Sequence, residues 1–143
     1  MRHIDMGLHG QTWPMALTAE ALFCIYDRYG VVDDILGVTK ALEPSAYGWR
    51  QCCWLCALLL YHGEMQRRYL GGEPRDTPTM EELRCSVSAA EAIIVQQSVV
   101  AALQQGFERG VPDAAAEREI NLVLAEREAA EKKTPSDGSG QSI

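Results

Sequence analysis

The sequence predicts a mainly α-helical protein in which a small N-terminal β-hairpin precedes a bundle of about four to five helices. Three observations predict this fold class. A glycine turn separates two short extended segments at the N-terminus, capping residues precede the helical segments, and apolar residues recur at helical spacing along most of the chain. The 143 residues, 47% of them apolar, suffice for one domain with a single core.

The hairpin is predicted from two extended segments, residues 3–8 and 12–16, on either side of a turn at His9-Gly10-Gln11. Gly10 adopts at little cost the positive φ that a tight turn requires. Pro14 has no N–H to donate to a neighbouring strand, so we expect the second segment to be an edge strand.

Capping residues indicate where the first helices begin. Thr18 is expected to cap a helix that ends at Tyr29-Gly30, with Glu20 in its first turn. Residues 31–39 form a second, short helix in this prediction. Pro44 and Ser45 then start a third helix over residues 46–70, which is apolar on all sides and is therefore predicted to be the buried core helix.

The second half of the chain is predicted to hold two more helices. Thr79 and Glu82 form a capping box that opens a helix reaching about Phe107. Its expected core stripe consists of Leu83, Val87, Ala90, Ile94 and Ala101. A last helix over residues 114–132 has a narrow apolar stripe formed by Ala116, Ile120, Val123 and Leu124. The predicted domains are a helical core with its hairpin (1–110), a charged helix (111–133) and a disordered tail (134–143).

Composition and charge exclude several classes of partner. The net charge of −7 and the isolated basic pairs Arg67-Arg68 and Lys132-Lys133 argue against nucleic acid, which is bound by clustered basic residues. No segment has the roughly 18 consecutive apolar residues of a membrane span, and the first residues do not resemble a secretory signal. We therefore expect a cytoplasmic protein with neither a nucleic-acid nor a membrane partner.

The five cysteines, at positions 24, 52, 53, 56 and 85, do not form the even set of a disulfide framework. Cys52, Cys53 and Cys56, followed by His62, make the one cluster that resembles a metal site, because Cys53 and Cys56 have CxxC spacing. Structural zinc pairs usually lie in turns, whereas these cysteines lie in an apolar helical segment. Buried core thiols are the favoured interpretation, and a zinc site is the alternative.

Candidate catalytic groups do not converge in the sequence. The histidines His3, His9 and His62 are interpreted as surface or helix-capping residues. The adjacent carboxylates Asp33-Asp34 and Glu81-Glu82 point about 100° apart on a helix, so neither forms an acid–base pair. No nucleophile, metalloprotease or phosphate-binding motif is present. We expect no catalytic residue, no bound cofactor or metal, and no enzymatic activity.

Three pieces of the chain together resemble a known family. They are the segment Leu8-His-Gly-Gln-Thr-Trp-Pro-Met15, the helix over residues 19–29 that ends at Gly30, and the helix over residues 48–60 that is rich in Trp and Leu. Over about residues 4–70 this pattern is similar to the tail assembly chaperones of long-tailed bacteriophages. Those proteins typically show a short strand, a glycine turn, a second strand ending in Pro or a small apolar residue, and then such helices.

The resemblance implies a non-enzymatic role in the cytoplasm of the infected host. Members of the family bind the tape-measure protein, recruit tail-tube subunits and leave before the tail is complete, so they are absent from the mature virion. The resemblance thus implies two partners, the tape-measure protein and the tail-tube protein. Self-association is expected on a separate ground, because the apolar stripe of the last helix is too narrow for that helix to be stable alone. The narrow stripe of the last helix supplies the candidate partner-binding residues Ile120, Val123 and Leu124. The alternative is a small helical zinc-binding regulatory or adaptor protein that uses Cys52, Cys53 and Cys56.

Overall fold

The computed structural model describes residues 3–31, 38 and 42–108, which all belong to the first compact unit of the chain, Met1–Glu108. These residues contain, in chain order, β1 (Ile4–Leu8), β2 (Gln11–Met15), α1 (Ala19–Tyr29), α2 (Ala46–Tyr69), α3 (Met80–Ser86) and α4 (Ala89–Phe107). The predicted fold class, mainly α with a small N-terminal β-hairpin, is confirmed. The helix predicted over residues 31–39 lies almost wholly outside the described residues. The helix over 114–132 and the tail lie wholly outside them, and the three domain bounds stay predictions.

The hairpin closes through a two-residue turn. Strands β1 and β2 are antiparallel, with Leu8 opposite Gln11 and Asp5 opposite Pro14. Gly10 has the predicted positive φ, 75°, and His9 joins it with a φ of 53°. Two consecutive positive φ values are the mark of a type I′ turn, whose twist matches that of the flanking strands. Histidine is one of the few non-glycine residues enriched in this conformation.

Helix α2 packs along the free side of β2. The main-chain N–H of Ala16 donates to the carbonyl oxygen of Leu59 at 3.1 Å. At Gly63 the helix approaches the strand so closely that a Cβ atom there would collide with the main-chain carbonyl of Pro14. The absence of a side chain at position 63 therefore allows the hairpin to lie against the helix.

The predicted capping residues of the first helices are confirmed. The hydroxyl of Thr18 accepts the N–H of Ala21 at the start of α1, and Gly30 ends that helix with a φ of 88°. The hydroxyl of Ser45 accepts the N–H of Gly48 at the start of α2. Residues 51–60 of α2 are buried or half-buried throughout, so its predicted position in the core is confirmed. No helix in the described ranges has both the length and the apolar character that crossing a membrane requires.

The single helix predicted from Thr79 to about Phe107 is wrong, because the chain leaves the helical conformation at Val87, where ψ is 124°. The predicted capping box at Thr79 does open α3, with Glu82 as its second member. A second capping box, formed by Ser88 and Glu91, then opens α4. The segment Ser-x-x-Glu satisfies the free N–H groups of a new helix start, which favours a break at this point.

The break also changes which residues of α4 face the core. Of the stripe predicted for one continuous helix, Leu83 is buried, but Ala90 and Ile94 are exposed. The buried residues of α4 are Val95, Val99, Ala102 and Leu103. They join Met6, Leu8 and Met15 of the hairpin and the apolar residues of α2 in one core.

Candidate functional site

The strongest charge cluster of the described chain surrounds Glu64, a residue of α2 whose side chain is only 2% exposed. Arg67 donates to both carboxylate oxygens, from Nε to Oε1 at 2.8 Å and from Nη2 to Oε2 at 3.0 Å. Arg68 donates from Nε to Oε2 at 2.9 Å, and the main-chain N–H of Arg75 reaches the same oxygen at 2.9 Å. These hydrogen bonds, above all those from Arg67, lower the pKa of Glu64 to about 2.

Arg75 extends this cluster to the hairpin. Its Nη2 donates to the carbonyl oxygen of Thr12 at 2.7 Å, and its guanidinium lies 4.2 Å from the centre of the Trp13 ring. Arg68 in turn donates from Nη2 to the carbonyl oxygen of Arg75 at 3.0 Å. The cluster thus ties α2, the linker that follows it and β2 together. Because the carboxylate of Glu64 is saturated with donors, it is a structural group and a poor general base.

The sequence contains a local signal for part of this cluster. Glu64 precedes Arg67 and Arg68 by three and four residues, the spacings at which side chains meet on a helix. As an isolated basic pair, Arg67-Arg68 argued only against nucleic-acid binding, and the carboxylate of Glu64 was not considered with it. The contribution of Arg75 depends on the path of the linker, which no local pattern encodes.

A groove of about 270 Å³ lies beside this cluster, between the outer face of the hairpin and the last turns of α2. His3 and Asp5 line one side, with His3 Nε2 at 3.3 Å from Asp5 Oδ1, and Arg67 and Arg75 line the other. The guanidinium groups that border it already interact with Glu64. The groove therefore offers little unpaired charge to a ligand.

The cysteine cluster is buried, as predicted. Cys52, Cys53 and Cys56 all lie in the core, whereas Cys85 is exposed and Cys24 is half-buried. Burial raises the pKa of Cys52 to about 12 and that of Cys53 to about 11, and it raises the pKa of Cys56 as well. All three thiols are therefore protonated at neutral pH, whereas a nucleophile or a metal ligand must be a thiolate.

His62 is not the surface or capping residue that the sequence suggested. Its side chain is buried in α2, and Nδ1 lies 2.8 Å from the hydroxyl oxygen of Thr18. Burial lowers its pKa, an effect that the carboxylate of Glu20 partly opposes. The prediction failed because Thr18, at the start of α1, packs on His62, and this contact joins residues that are 44 positions apart in the sequence. His9 is exposed in the hairpin turn, and its Nε2 is 3.5 Å from Glu91 Oε1.

Metal ligation needs at least three converging side chains of the appropriate kind. Within residues 3–31, 38 and 42–108, no three His, Cys, Asp or Glu side chains are arranged to hold a metal ion. Cys52, Cys53 and Cys56 follow one another on α2 but do not converge with His62 in such a group.

The outer face of α4 exposes two large apolar side chains. Ile93 is 58% exposed and Ile94 is 44% exposed. A groove of about 330 Å³, which we call the α4 groove, runs along the following turns of this helix. It is lined by Leu42, Gln96, Gln97, Val100, Ala101 and Gln104. Apolar and amide side chains alternate here without any charged group.

The candidate partner-binding residues from the sequence, Ile120, Val123 and Leu124, lie outside the described residues. The α4 groove was not among the candidates, because the spacing of one continuous helix predicts that Ile94 and Ala101 lie in the core. Comparisons of this chain with protein-family models, with curated proteins and with solved structures found no match.

Proposed function

We propose that this chain is a non-enzymatic tail assembly chaperone, which binds a tape-measure protein and recruits tail-tube subunits in the cytoplasm of an infected host. The order of elements in the described residues, a hairpin followed by helices, is the order that the resemblance implies. The proposal rests on that resemblance and on one surface of the structure, the α4 groove.

The α4 groove supports the proposal because its shape and chemistry suit a helical partner. Ile93 and Val100 are seven residues apart, so both point to the same side of α4 after two turns. Gln97 and Gln104 continue this face and supply amide groups that can hydrogen-bond at the rim. An amphipathic helix binds such a groove by placing its own apolar residues at intervals of three and four. A tape-measure protein, which is long and helical, offers this pattern repeatedly.

The test is co-expression of this chain with a tape-measure protein encoded beside it in the same genome. We expect the soluble fraction of the tape-measure protein to rise, because the chain covers apolar helix surface that would otherwise aggregate. We expect Ile93→Asp to abolish much of this gain and to weaken co-purification of the two proteins. An unchanged soluble fraction with and without the wild-type chain would contradict the proposal.

A matched control separates this surface from general effects of surface charge. Phe23 on α1 is 60% exposed, nearly the same as Ile93, and it lies on a different helix. Phe23→Asp should therefore leave the solubility of the tape-measure protein at the wild-type level. The stripe Ile120, Val123 and Leu124 remains a second candidate contact, and Leu124→Asp in the full chain tests it in the same assay.

A further inference from the structure

A further groove, of about 520 Å³, lies between the hairpin and α3, and we call it the α3 groove. None of its lining residues also lines the α4 groove or the groove beside Glu64. It is therefore a separate surface of the described chain. The hairpin, the linker before α3 and α3 itself all contribute to it, and among the residues that line it are His9, Trp13, Asp76, Pro78, Glu82 and Cys85.

The side chains that line the α3 groove differ in how far they are exposed. Trp13 and Pro78 are half-buried, whereas Asp76 and Glu82 are exposed. Trp13 also packs against the core, and the guanidinium of Arg75 lies 4.2 Å from the centre of its ring. These two contacts hold the ring in place. The groove thus combines an ordered aromatic side chain with carboxylates that face the solvent.

The charge of the α3 groove is acidic. Asp76 and Glu82 line it, and no lysine or arginine of the described ranges does. Within those ranges, no hydrogen bond or ion pair engages the carboxylate of Asp76. Glu82 accepts the main-chain N–H of Thr79 with Oε1 at 2.9 Å, and no described group bonds to its Oε2. Both carboxylates thus keep acceptor oxygens for a ligand.

Two basic residues near the α3 groove in the sequence act elsewhere. Arg75 donates to the carbonyl oxygen of Thr12 at 2.7 Å, and it lines the groove of about 270 Å³ instead. The positive charge of Arg84 acts on Cys53, where it opposes the rise in the pKa of that thiol, so Arg84 is directed toward α2. Neither arginine therefore neutralises the acidic lining of the α3 groove.

The linker that borders the α3 groove also has unused main-chain groups. Its residues from 73 to 79 are neither helical nor in a strand. In the part of the chain that the structure describes, no hydrogen bond engages the main-chain N–H or C=O groups of Asp76 and Thr77. Main-chain donors and acceptors of this kind are the groups to which an extended segment of another protein binds.

We propose that the α3 groove binds an extended, arginine-containing segment of a partner protein. An arginine side chain of that segment packs on Trp13 and donates to the carboxylates of Asp76 and Glu82. Guanidinium suits this site because it stacks on aromatic rings and offers several N–H donors to carboxylates at once. The main chain of the segment pairs with the free groups of Asp76 and Thr77.

The lining of the α3 groove disfavours other occupants. An acidic segment or a nucleic acid would be repelled by Asp76 and Glu82. An apolar helix would bury the same carboxylates without a partner, which is costly. A free small cation has no main chain with which to pair Asp76 and Thr77. Charge complementarity and the free main-chain groups therefore both favour a basic extended segment.

The first test titrates the full chain with a short flexible peptide of arginine, serine and glycine residues. A second peptide, in which glutamine replaces each arginine, is the matched control. NMR should show saturable shifts of the Trp13 indole N–H and of the amides of Thr77 and Ser86 with the arginine peptide alone. We expect a dissociation constant of about 0.1–1 mM, because ion pairs that remain partly exposed contribute little.

Cys85 reports on the same groove by chemistry. Its thiol is exposed and lines the α3 groove, so a bound segment should shield it. At a peptide concentration of twice the dissociation constant, about one third of the grooves are free, and an uncharged maleimide should modify Cys85 about threefold more slowly. The glutamine peptide should leave the rate unchanged.

Three variants locate the site. Asp76→Asn and Glu82→Gln each remove one carboxylate charge from the groove, and each should raise the dissociation constant of the arginine peptide about threefold. Glutamine at position 82 still closes the capping box of α3, so this variant keeps the helix start. Glu81→Gln removes the same charge from the adjacent exposed position, which does not line the groove, and it should leave the constant near the wild-type value.

Each outcome decides the proposal. Absence of saturable shifts up to about 10 mM peptide overturns it, and so does equal binding of the glutamine peptide. Equal effects of Glu81→Gln and Asp76→Asn would show general attraction to an acidic protein and would also overturn it. Free arginine amide that binds as tightly as the peptide would show a small-cation site in place of a segment site, which contradicts the proposal.

Two features keep the result interpretable. If a variant fails to fold, as shown by loss of its circular dichroism signal, the shifts and the protection of Cys85 in the wild-type chain decide alone. No tape-measure protein is present in these measurements, so their failure is distinct from failure of the chaperone assay.

Discussion

The carboxylate of Glu64 accepts the main-chain N–H of Arg75 at 2.9 Å, although Arg75 lies eleven residues further along the chain. The linker after α2 therefore folds back onto the helix that precedes it. Arg67 and Arg68 hold the same carboxylate from the helix side, and Arg67 also donates to the carbonyl oxygen of Glu73 in the linker. A single buried charge thus determines how the chain passes from α2 to α3.

Replacing this charge should cost stability. Glu64→Gln keeps the size of the side chain but leaves Arg67, Arg68 and Arg75 without their counter-charge. The three arginines are 32–35% exposed, so water compensates part of the loss. We expect about 2 kcal/mol, below the 3–5 kcal/mol typical of a fully buried pair. Urea unfolding of the two proteins at pH 7 measures this loss in the free energy of unfolding. The control is Glu81→Gln, at an exposed position on α3, which should change the stability little.

Comparing Glu64→Gln with the wild type also tests how the contribution of the Glu64 carboxylate to stability depends on pH. Since the folded state lowers the pKa of Glu64 to about 2, the charged carboxylate stabilises the fold above the usual glutamate pKa of about 4.3. This stability is lost as the pH falls from that value toward 2. The difference between wild type and Glu64→Gln should therefore shrink over this interval. A difference that stays constant down to pH 2 would show that Glu64 acts through packing rather than charge.

The close contact between α2 and the hairpin at Gly63 predicts that a larger residue there lowers the stability of the fold. Gly63→Ala places a Cβ atom against the main-chain carbonyl of Pro14, and neither the helix nor the strand can move freely. Overpacking of this kind typically costs 1–3 kcal/mol, so we expect a clear fall in the free energy of unfolding. Gly7→Ala is the matched control, because the same methyl group meets open space there. Equal stabilities of the two variants would contradict the close packing of α2 on β2.

Local chemistry predicted much of the fold and little of the site. Gly10, Thr18 and Ser45 act as the sequence indicated, because turns and caps depend on a few neighbouring residues. The capping box that breaks the helix at Ser88 also depends on neighbouring residues only. It was missed because the spacing of apolar residues across the break is the same as in one continuous helix. The spacing of Glu64 from Arg67 and Arg68 is local, but the contacts of Glu64 with Arg75 and of His62 with Thr18 join segments distant in sequence, so no pattern of spacing reveals them.

His62 should make the stability sensitive to mildly acidic pH. Its pKa is lowered by burial, so the unfolded chain binds the proton more readily than the folded one. The contribution of neutral His62 to the free energy of unfolding is complete above the usual histidine pKa of about 6.5, and it declines as the pH falls below that value. We expect the free energy of unfolding to decrease from pH 7 toward pH 5, and His62→Asn to flatten that slope.

The buried thiols should be inert in the folded protein. Cys52, Cys53 and Cys56 have raised pKa values and lie in the core, so little thiolate is present and a reagent cannot reach them. Titration with a disulfide reagent at pH 8 should modify Cys85 quickly and the three core thiols only on unfolding. Cys85→Ser serves as the control and should remove the fast phase.

Substitution of one core thiol tests the same interpretation through stability. Cys56→Ala removes a fully buried sulfur that donates to the sulfur of Met6 at 4.0 Å, and we expect a loss of roughly 1 kcal/mol or somewhat more through packing. The chain should still fold, because the rest of the core is unchanged. If Cys52, Cys53 and Cys56 instead hold zinc, the purified protein will contain it in stoichiometric amounts and chelation will unfold the chain. Two measurements distinguish these roles: the zinc content of the purified protein, and its melting temperature with and without a chelator. If the thiols are only packed in the core, the protein contains no stoichiometric zinc and the chelator leaves the melting temperature unchanged.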